Sequence, residues 1–381
     1  MKIVHVLNSL TIGGREKVVI ELCNELARSE SVVIITLSND NNLQKDILHP
    51  NINLIELPFS SNIFGLIKLW IIGFFLLKSK LKSIKPDIIH NHLYYHYFLF
   101  LTLVCNVGGF RSKSFRTVHT SGLFYENKGI LNKFRLSIEK LASKLNKPYL
   151  VSISRSVYDN NVFHFKDYYA NNKYIPNGVN FKLFEQELIT IQRADFKFSD
   201  HDFVGIYVSR LDNGKKHHLV INQIHKMKKE GYDIKMLFVG DGKLRNELQN
   251  LVVSKSLQTN IFFIGFTTNV SSYLKIADFS VFPSEFEGFG LSLIEKMYFK
   301  LPVIASNIDV FEEVIQDNFN GFLFDLKKED ELKNKIISLM NNKEKFKSIG
   351  ENAKETAMKF NIKNIASETL EYYRKSLDQC Y

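Results

Sequence analysis

The sequence predicts an α/β protein made of two doubly wound domains. The chain has 381 residues, which is more than one ordinary hydrophobic core accommodates. Short β-branched runs alternate with longer stretches of helical spacing, such as residues 14–29 and 243–257. Apolar runs of about 5–8 residues are typical of strands buried on both faces of a parallel sheet. Their alternation with helices therefore predicts a parallel sheet in each half of the chain.

The predicted strands form two series along the chain. The first series is KIVHVL, SVVIITL, INLIELP, DIIHNH, FRTVHT and YLVSIS, and the second is FVGIYVS, KMLFVGDG, IFFIGF, FSVFPS and PVIAS. A polar stretch around residues 180–200 separates them, so we expect domains at residues 1–185 and 200–360. The last helical stretch, about 364–378, fits either domain. Ligands of open parallel sheets bind beyond the carboxyl ends of the strands, so functional residues should follow the strands and face a cleft between the domains.

The composition indicates a folded protein of a reducing cytoplasm. The chain is 45% hydrophobic and 24% charged, as globular proteins are. Cys23, Cys105 and Cys380 are far apart and odd in number, which argues against a disulfide framework or a cysteine metal site. The first strand follows the N-terminus directly, without a signal segment. The apolar run at residues 69–77 is shorter than the about 20 residues that a membrane helix needs.

The net positive charge of the chain arises entirely from its first half. Residues 1–180 hold 22 Lys and Arg against 12 Asp and Glu, whereas the remaining 201 residues hold 28 of each. A basic half rich in aromatic residues fits an anionic partner, such as a phosphorylated lipid, a bilayer surface or nucleic acid. An ordinary solvated basic surface is the simpler alternative.

Candidate residues follow the strands of the first half. Gly13 and Gly14 lie between a strand and a helix, which suits either a tight turn or close approach of a phosphate to the helix start. His90 and His92 share one face of a strand, so they are either metal ligands or structural histidines. His119, at the end of the fifth strand, is suited to hydrogen-bond a sugar hydroxyl or a leaving-group oxygen, or to cap a loop.

Cations follow the first strand of the second half. Arg210, Lys215 and Lys216 lie within RLDNGKKHH, and fixed cations just past a strand are suited to clamp a diphosphate. The later stretch FVGDGKLRNEL contains Gly-Asp-Gly, but Arg245 stands where a dinucleotide-binding fingerprint has its third glycine. The sequence therefore argues against a dehydrogenase.

The stretch PSEFEGFGLSLIEK at residues 283–296 is the most specific pattern in the chain. We predict that a helix begins near Leu291 and that its first amides bind phosphate. Glu287 precedes the turn and Glu295 lies one turn inside the helix. Carboxylates beside a phosphate site are suited to accept hydrogen bonds from pairs of sugar hydroxyls. The stretch therefore indicates a nucleotide-sugar site, with Glu287 at the sugar and Glu295 at the ribose.

At these residues the chain closely resembles family 4 of the retaining glycosyltransferases. The resemblance runs the length of the chain and is strongest from Ala277 to Ser306, which is similar to the family's pattern of two glutamates separated by seven residues. It implies the two-domain GT-B fold, with two Rossmann-like domains facing a central cleft and a C-terminal helix, residues 361–381, that crosses back to the N-terminal domain. Other matching segments are GGRE, PDIIHNH, TVHT, IPNGV, RLDNGKKHH, FVGDGKLRNEL, LPVIAS and NGFLF.

The resemblance also implies roles for individual residues. Arg210 and Lys215, with Lys216 as the alternative lysine, would neutralise the donor diphosphate, while Glu287 would bind the transferred sugar and Glu295 the ribose. His119 would lie near the sugar. The remaining donor contacts would come from Gly14 beside the phosphates, Phe266 beside the base, and the loop residues Gly288, Phe289, Gly290 and Leu291.

The chain departs from the family pattern at two places. The loop after PVIAS reads NIDVFEEV, where a pair of glycines is common, so no contacts are carried over from it. Lys296 replaces the alanine that usually follows the second glutamate. Helix phase allows Lys296 to point outward, where it would matter little.

The expected reaction moves a hexosyl unit from a nucleotide diphosphate sugar, UDP-linked by resemblance, to an acceptor hydroxyl with retention of configuration. We expect no metal or other cofactor, because the cations do a metal ion's work on the diphosphate. Residues 67–147 hold 14 Lys and Arg against three Asp and Glu, interleaved with apolar runs. These runs are either ordinary core or an interfacial surface on an anionic membrane.

The surface interpretation predicts a cytoplasmic protein, peripheral on the inner face of the membrane. Its acceptor would be a lipid-linked sugar in bacterial surface polysaccharide synthesis, and no nucleic acid would bind. The alternatives are a nucleotide-sugar epimerase or hydrolase, a phosphorylase with pyridoxal phosphate, or a non-enzymatic protein that binds anionic lipid.

Overall fold

A computed structural model of the chain describes residues 1–11, 13–39, 45–60, 62–119, 129–185 and 191–378. These residues divide into two compact units. The first comprises Met1–Gly178 together with the C-terminal segment from Ile362, and the second is Val179–Asn361. The first change of unit lies just before the stretch predicted as the linker.

The first unit is built on a seven-stranded sheet in which every pairing is parallel. Its strands are β1 (Lys2–Leu7), β2 (Ser31–Thr36), β3 (Asn53–Glu56), β4 (Ile88–Asn91), β5 (Lys113–Val118), β6 (Tyr149–Ser152) and β7 (Asn171–Tyr174). They are arranged in the order β3-β2-β1-β4-β5-β6-β7. Because the order reverses between β1 and β4, the carboxyl ends of these two strands flank a topological switch point.

Helices of the first unit connect these strands. They are α1 (Gly14–Leu26), α2 (Ile63–Lys68), α3 (Phe74–Ile84), α4 (Tyr95–Gly108), α5 (Ile130–Asn146) and α6 (Arg155–Phe165). A π-helical turn, Leu69–Gly73, joins α2 to α3. The core lies on both faces of the sheet, so the strands between its two edges are buried almost throughout. This burial explains their continuous apolar sequences.

The second unit repeats the arrangement with six parallel strands. They are β8 (Phe203–Val208), β9 (Ile234–Val239), β10 (Ile261–Gly265), β11 (Phe279–Phe282), β12 (Val303–Ser306) and β13 (Phe322–Phe324), in the order β10-β9-β8-β11-β12-β13. Here the switch point lies between β8 and β11. The helices are α7 (His217–Lys229), α8 (Arg245–Ser254), α9 (Val270–Ile276), α10 (Leu291–Tyr298), α11 (Asp309–Glu312), α12 (Glu331–Met340) and α13 (Lys343–Met358).

The structure confirms the predicted fold class of two doubly wound parallel sheets. All eleven predicted strands are present, but β7 and β13 were missed. Both lie at the edge of a sheet. The β7 sequence NNKY is polar, and β13 has only three residues. Neither therefore carries the long apolar pattern of a strand that is buried on both faces.

The last helix, α14 (Ile362–Asp378), packs in the core of the first unit. Tyr373 is fully buried, and its ring centroid lies 4.7 Å from that of Phe115 on β5. Its hydroxyl is 2.5 Å from Nδ1 of His90 on β4. The C-terminal segment thus completes a core whose strands lie far away in sequence.

Replacing Tyr373 with alanine should therefore destabilise the first unit by about 3–5 kcal/mol, because a buried aromatic ring leaves a cavity. Tyr373→Phe should cost less, about 1–3 kcal/mol, since it leaves only the His90 nitrogen without its partner. Chemical denaturation measures both losses of stability, and hydrogen exchange shows which strands lose amide protection. Lys375→Ala, on the exposed face of α14, is the control. Loss of amide protection confined to β8–β13 would contradict this role.

Candidate active site

The candidate donor site of the second unit lies at the switch point between β8 and β11. After β8, the chain forms a 3-10 turn, Asn213–Lys215, before α7 begins. After β11, residues 283–290 lead into α10, which begins at Leu291 as predicted. The amide of Glu285 donates to the carbonyl of Gly214 at 3.0 Å. This bond ties the two loops together, so their side chains meet.

Glu287 and Lys215 form an ion pair at the centre of this site. Both side chains are largely shielded from solvent, with 17% and 18% exposed. The hydroxyl of Ser284 donates to Oε1 of Glu287 at 2.9 Å. The carbonyl of Lys215 accepts a hydrogen bond from the Tyr207 hydroxyl at 2.5 Å. Ser284, just after β11, therefore fixes the carboxylate, and Tyr207 of β8 fixes the backbone of Lys215.

The other two cations of the loop also have carboxylate partners. Lys216 Nζ lies 2.6 Å from Glu285, and Arg210 Nη2 lies 3.3 Å from Asp212. The Arg210 side chain is 80% exposed, so its pair is weak. The sequence prediction of a bare cationic clamp missed these partners. An ammonium has three N–H donors, so Lys215 is able to contact a phosphate while it stays bonded to Glu287.

The start of α10 offers the backbone amides that the sequence predicted. Gly290 precedes the helix with φ +81°, and a Cβ there would lie 2.9 Å from the ring of Phe311. Only glycine fits this left-handed and crowded position. The amides of Leu291 and Ser292 have no acceptor within the helix. They and the helix dipole are suited to bind an anion.

The other predicted donor residues occupy different environments. Phe266 follows β10 and is 65% exposed, so its ring is accessible to a base. Glu295 is half-buried, one turn inside α10, and Gly288 is half-buried in the loop. The side chain of Phe289 is buried against Phe360, with ring centroids 5.6 Å apart. Phe289 is therefore able to contact a ligand only through its backbone.

The expectation that Lys296 points outward is wrong. Its side chain is fully buried, with Nζ 4.4 Å from the Phe282 ring centroid and 2.9 Å from the Ser292 carbonyl. The helix is only eight residues long, and the face that was taken as solvent-exposed packs on the sheet. Burial lowers the pKa of Lys296 to about 7, against partial compensation from Glu295 and Glu287.

The predicted residues of the first unit line a cavity of about 580 Å³. Gly14 lies at its edge at the start of α1, and a Cβ there would meet no heavy atom within 4 Å. His119 and His92 lie at the ends of β5 and β4. The cavity also contains three arginines that the sequence did not single out, Arg15, Arg116 and Arg135.

His119 belongs to a chain of hydrogen-bonded histidines. Nε2 of His119 lies 3.0 Å from Nδ1 of His92, and Nε2 of His92 lies 3.0 Å from Nδ1 of His5. A neutral imidazole has one donor and one acceptor, so His92 donates to one neighbour and accepts from the other. Burial lowers the pKa of His119 to about 3, helped by Arg15 and Arg116. His119 is therefore neutral near pH 7, where it is suited to hydrogen-bond but not to donate a proton as a cation.

His90 and His92, which the sequence offered as candidate metal ligands, cluster with His5. His5, His90 and His92 each offer a ring nitrogen, and these atoms lie within 4.8 Å of one another. However, His90 is bonded through both nitrogens, to Tyr373 at 2.5 Å and to Thr117 at 2.7 Å. Both nitrogens of His92 are also engaged. A metal ion would have to displace these hydrogen bonds, so the geometry favours structural histidines at His90 and His92.

The burial of Lys296 predicts a specific dependence of stability on pH. Its pKa of about 7 in the folded protein lies below the ordinary value of 10.5, so the unfolded chain binds more protons between these two values. The stability contributed by this residue should therefore rise as pH increases from 7 towards 10.5. Below pH 7 the cost of burying the ammonium is fully present, so Lys296→Met should be more stable than wild type.

Thermal unfolding across this pH range tests the prediction. The stability advantage of Lys296→Met should shrink as pH rises, whereas Lys275→Met, on an exposed side chain of α9, should differ from wild type by a constant amount. A constant difference for Lys296→Met as well would show that its pKa is ordinary.

Comparisons with known proteins agree with this geometry. The model for glycosyltransferase family 4 matches residues 12–183, and the model for group 1 glycosyl transferases matches residues 189–356. An uncharacterized glycosyltransferase of Methanocaldococcus jannaschii is 30% identical over 212 residues, which is 54% of this chain and 58% of that protein. Three of the curated relatives are matched over only 49% to 58% of their own length.

Two further similarities extend over nearly the whole chain. A Campylobacter jejuni protein is 24% identical over 97% of both chains. Its name is GalNAc-α-(1→4)-GalNAc-α-(1→3)-diNAcBac-PP-undecaprenol α-1,4-N-acetyl-D-galactosaminyltransferase. The crystal structure of Anabaena HepE in complex with UDP has a TM-score of 0.80 at 17% identity, and covers 98% of this chain and 100% of that one. Since the two domain models together span most of the sequence and the fold agrees, the chain belongs to the group 1, family 4 glycosyltransferases of the GT-B fold.

Proposed function

We propose that the protein transfers a hexosyl unit from a UDP-linked sugar to a sugar hydroxyl of a lipid-linked oligosaccharide or polysaccharide precursor. The configuration of the transferred sugar is retained and no metal is needed. One observation carries the proposal: the Glu287–Lys215 pair lies beside the amide-rich start of α10 at a topological switch point. Sugar-binding carboxylate, phosphate-binding cation and helix start are thus brought together. The complex of HepE with UDP supports the choice of nucleotide.

In this proposal the donor is held mainly through its diphosphate. Lys215 and Arg210 bind the phosphates together with the first amides of α10. Glu295 accepts hydrogen bonds from the ribose, and Phe266 stacks on the base. Glu287 accepts hydrogen bonds from hydroxyls of the transferred sugar, while Lys215 balances the negative charge of Glu287.

The reaction breaks the bond between the anomeric carbon and the phosphate oxygen. The acceptor hydroxyl oxygen forms the new bond from the same face, and its proton passes to the leaving phosphate oxygen. Negative charge grows on the diphosphate, where preorganised cations and amides stabilise it. Glu287 is occupied by Lys215 and Ser284, so it serves to position the sugar rather than to attack it. Neutral His119 hydrogen-bonds a sugar hydroxyl.

The lipid-linked acceptor is supported by an apolar surface on the first unit. Along α2, the π-helical turn and α3, the buried residues recur every fourth position, at Gly65, Leu69, Gly73, Leu77 and Leu81. The opposite face exposes large apolar side chains, namely Ile63, Phe64, Ile67, Trp70, Ile71, Ile72, Phe75 and Leu76. Such a patch on a helix usually marks an interaction site.

An anionic membrane is the partner that this surface fits. Lys68, Lys78, Lys80 and Lys82 flank the exposed apolar residues, and a basic, apolar helix face is typical of proteins that bind at the bilayer interface. None of the described helices is long and apolar enough to span a membrane. The C. jejuni relative, which is named for an undecaprenol-linked acceptor, supports the same class of substrate.

The donor site is tested by Glu287→Gln. We expect wild type to bind one UDP-sugar from a panel and to hydrolyse it slowly without acceptor, at a rate that a chelator does not change. Glu287→Gln should lower turnover by about 10²-fold or more, because the contact to the sugar is lost and Lys215 is left unpaired. Glu355→Gln, on an exposed side chain of α13 in the same unit, is the matched control and should leave turnover unchanged. If the chelator abolished turnover, metal independence would be wrong.

The same panel separates the other candidate activities. An epimerase would convert the donor sugar without any acceptor, and a phosphorylase would show the absorbance of bound pyridoxal phosphate. A lipid-binding protein without enzymatic activity would bind no UDP-sugar, and Glu287→Gln would then leave every measured property unchanged.

Membrane binding has a built-in probe, because Trp70 is the single tryptophan of the chain and lies on the exposed apolar surface. Its fluorescence should shift to shorter wavelength with vesicles of phosphatidylglycerol and phosphatidylcholine, and much less with phosphatidylcholine alone. High salt should weaken the response. Phe64→Ser with Phe75→Ser should reduce vesicle binding by about tenfold or more. Phe163→Ser, an equally exposed position on α6, should not, and an equal loss there would disprove the assignment.

A further inference from the structure

We propose that the 580 Å³ cavity of the first unit binds a phosphate group carried by the acceptor substrate. The inference rests on the proposed function in one respect, because it takes this cavity as the acceptor site. It adds the chemical class of the acceptor. The cavity residues that carry the inference are Arg15, Arg116 and Arg135, on α1, β5 and α5.

The charge of the cavity favours an anion. Three guanidinium groups line it against two carboxylates, Glu16 and Glu139. Its histidines, His92 and His119, are neutral because burial and the neighbouring cations lower the pKa of each. The lining therefore keeps one positive charge in excess near pH 7. A guanidinium is always charged and presents a fork of donors that matches phosphate oxygens.

Arg116 is the most deeply buried of the three. Only 6% of it is exposed, its guanidinium lies 4.2 Å from the Phe98 ring centroid, and Nη2 pairs with Glu139. Its Nε has no hydrogen-bond partner within the described part of the chain. A buried donor without an acceptor costs free energy. A ligand oxygen in the cavity would satisfy it.

Arg135 has no carboxylate within ion-pair distance in the part of the chain that the structure describes. Nη1 donates to the side chain of Asn132 at 3.3 Å, and the guanidinium lies 5.4 Å from the centroid of the Tyr95 ring. Arg15 is similarly placed 4.5 Å from the Tyr94 ring, while Nε bonds to Glu16 at 2.9 Å. Adjacent tyrosine rings thus hold two arginines at the cavity wall, and most of their donors stay available.

A second compartment of about 230 Å³ shares Thr11, Arg15 and Tyr94 with the first. Apart from Arg15, it is lined by neutral polar groups and apolar side chains. Asn8 is one of its lining residues, and Oδ1 of Asn8 is buried without a partner among the described residues. Amide and hydroxyl groups beside an aromatic ring suit a sugar. The two compartments together fit an acceptor with a sugar part and a phosphate attached to it or near it.

Inorganic phosphate is the first probe, titrated into the whole protein by calorimetry. Arg135→Gln should weaken binding by about tenfold or more, because a charge-assisted contact is lost. Arg116→Gln combined with Glu139→Gln should do the same without leaving a buried unpaired charge, and its thermal unfolding reports whether it folds. Arg111→Gln, exposed on the same unit, should bind like wild type, and acetate should bind more weakly than phosphate.

Several outcomes would overturn the assignment. If wild type binds no phosphate, or binds acetate as tightly as phosphate, a phosphate site is excluded. Loss of phosphate binding in Arg210→Gln but not in Arg135→Gln would place the phosphate at the second unit's cations instead. UDP binding, measured on the same variants, is a separate readout: its failure in wild type refutes the proposed donor but not the phosphate site.

Two further probes separate the sources of the phosphate. Glycerol 3-phosphate represents a soluble acceptor, and phosphatidic acid in phosphatidylcholine vesicles represents a lipid-borne one. The probe whose binding falls in Arg135→Gln identifies the source, and unchanged binding of both contradicts the proposal.

Discussion

The order of strands in the two parallel sheets is the constraint on which the sites depend. In each unit the chain connections run outward from a central pair of strands, which is β1 and β4 in the first unit and β8 and β11 in the second. The helices therefore leave a gap at the carboxyl ends of that pair. Every residue proposed to act on the donor in the second unit, apart from Phe266 after β10, follows β8 or β11. The cavity of the first unit lies at the corresponding ends of β1, β4 and β5.

Most of the cations at both sites are paired with a carboxylate of the same unit. In the second unit, Lys215, Lys216 and Arg210 each face a carboxylate. In the first, Arg15 and Arg116 face Glu16 and Glu139, whereas Arg135 does not have such a partner among the described residues. Such pairing lets cations be held close together without strong mutual repulsion. A phosphate then meets donors that are already oriented, which is the basis of electrostatic preorganisation.

The sequence was sufficient for eleven of the strands and for the start of α10, because these depend on local patterns of apolar residues and glycine. It could not predict the partners of the cations. Glu285 is an ordinary surface residue by sequence, and its pairing with Lys216 depends on how two loops meet. Asp212 pairs with Arg210 within one loop, but it is equally ordinary by sequence. The prediction that Lys296 points outward failed for a related reason, because in a helix of eight residues the periodicity does not determine which side packs on the sheet. His5 was missed because it lies inside β1, among residues that read as plain core.

The buried histidines and the arginines of the first unit have complementary roles in setting the charge of the cavity. Four charged imidazoles in one cluster would repel one another, and burial lowers the pKa of each. Neighbouring guanidiniums lower the pKa of His92 and His119 further. Neutral rings are then free to bond to one another in a directed chain from His5 to His119. The positive charge of the cavity is thereby left to the arginines alone, which do not titrate near neutral pH. Recognition of an anionic acceptor at this site would therefore be insensitive to pH, except where the phosphate itself gains a proton.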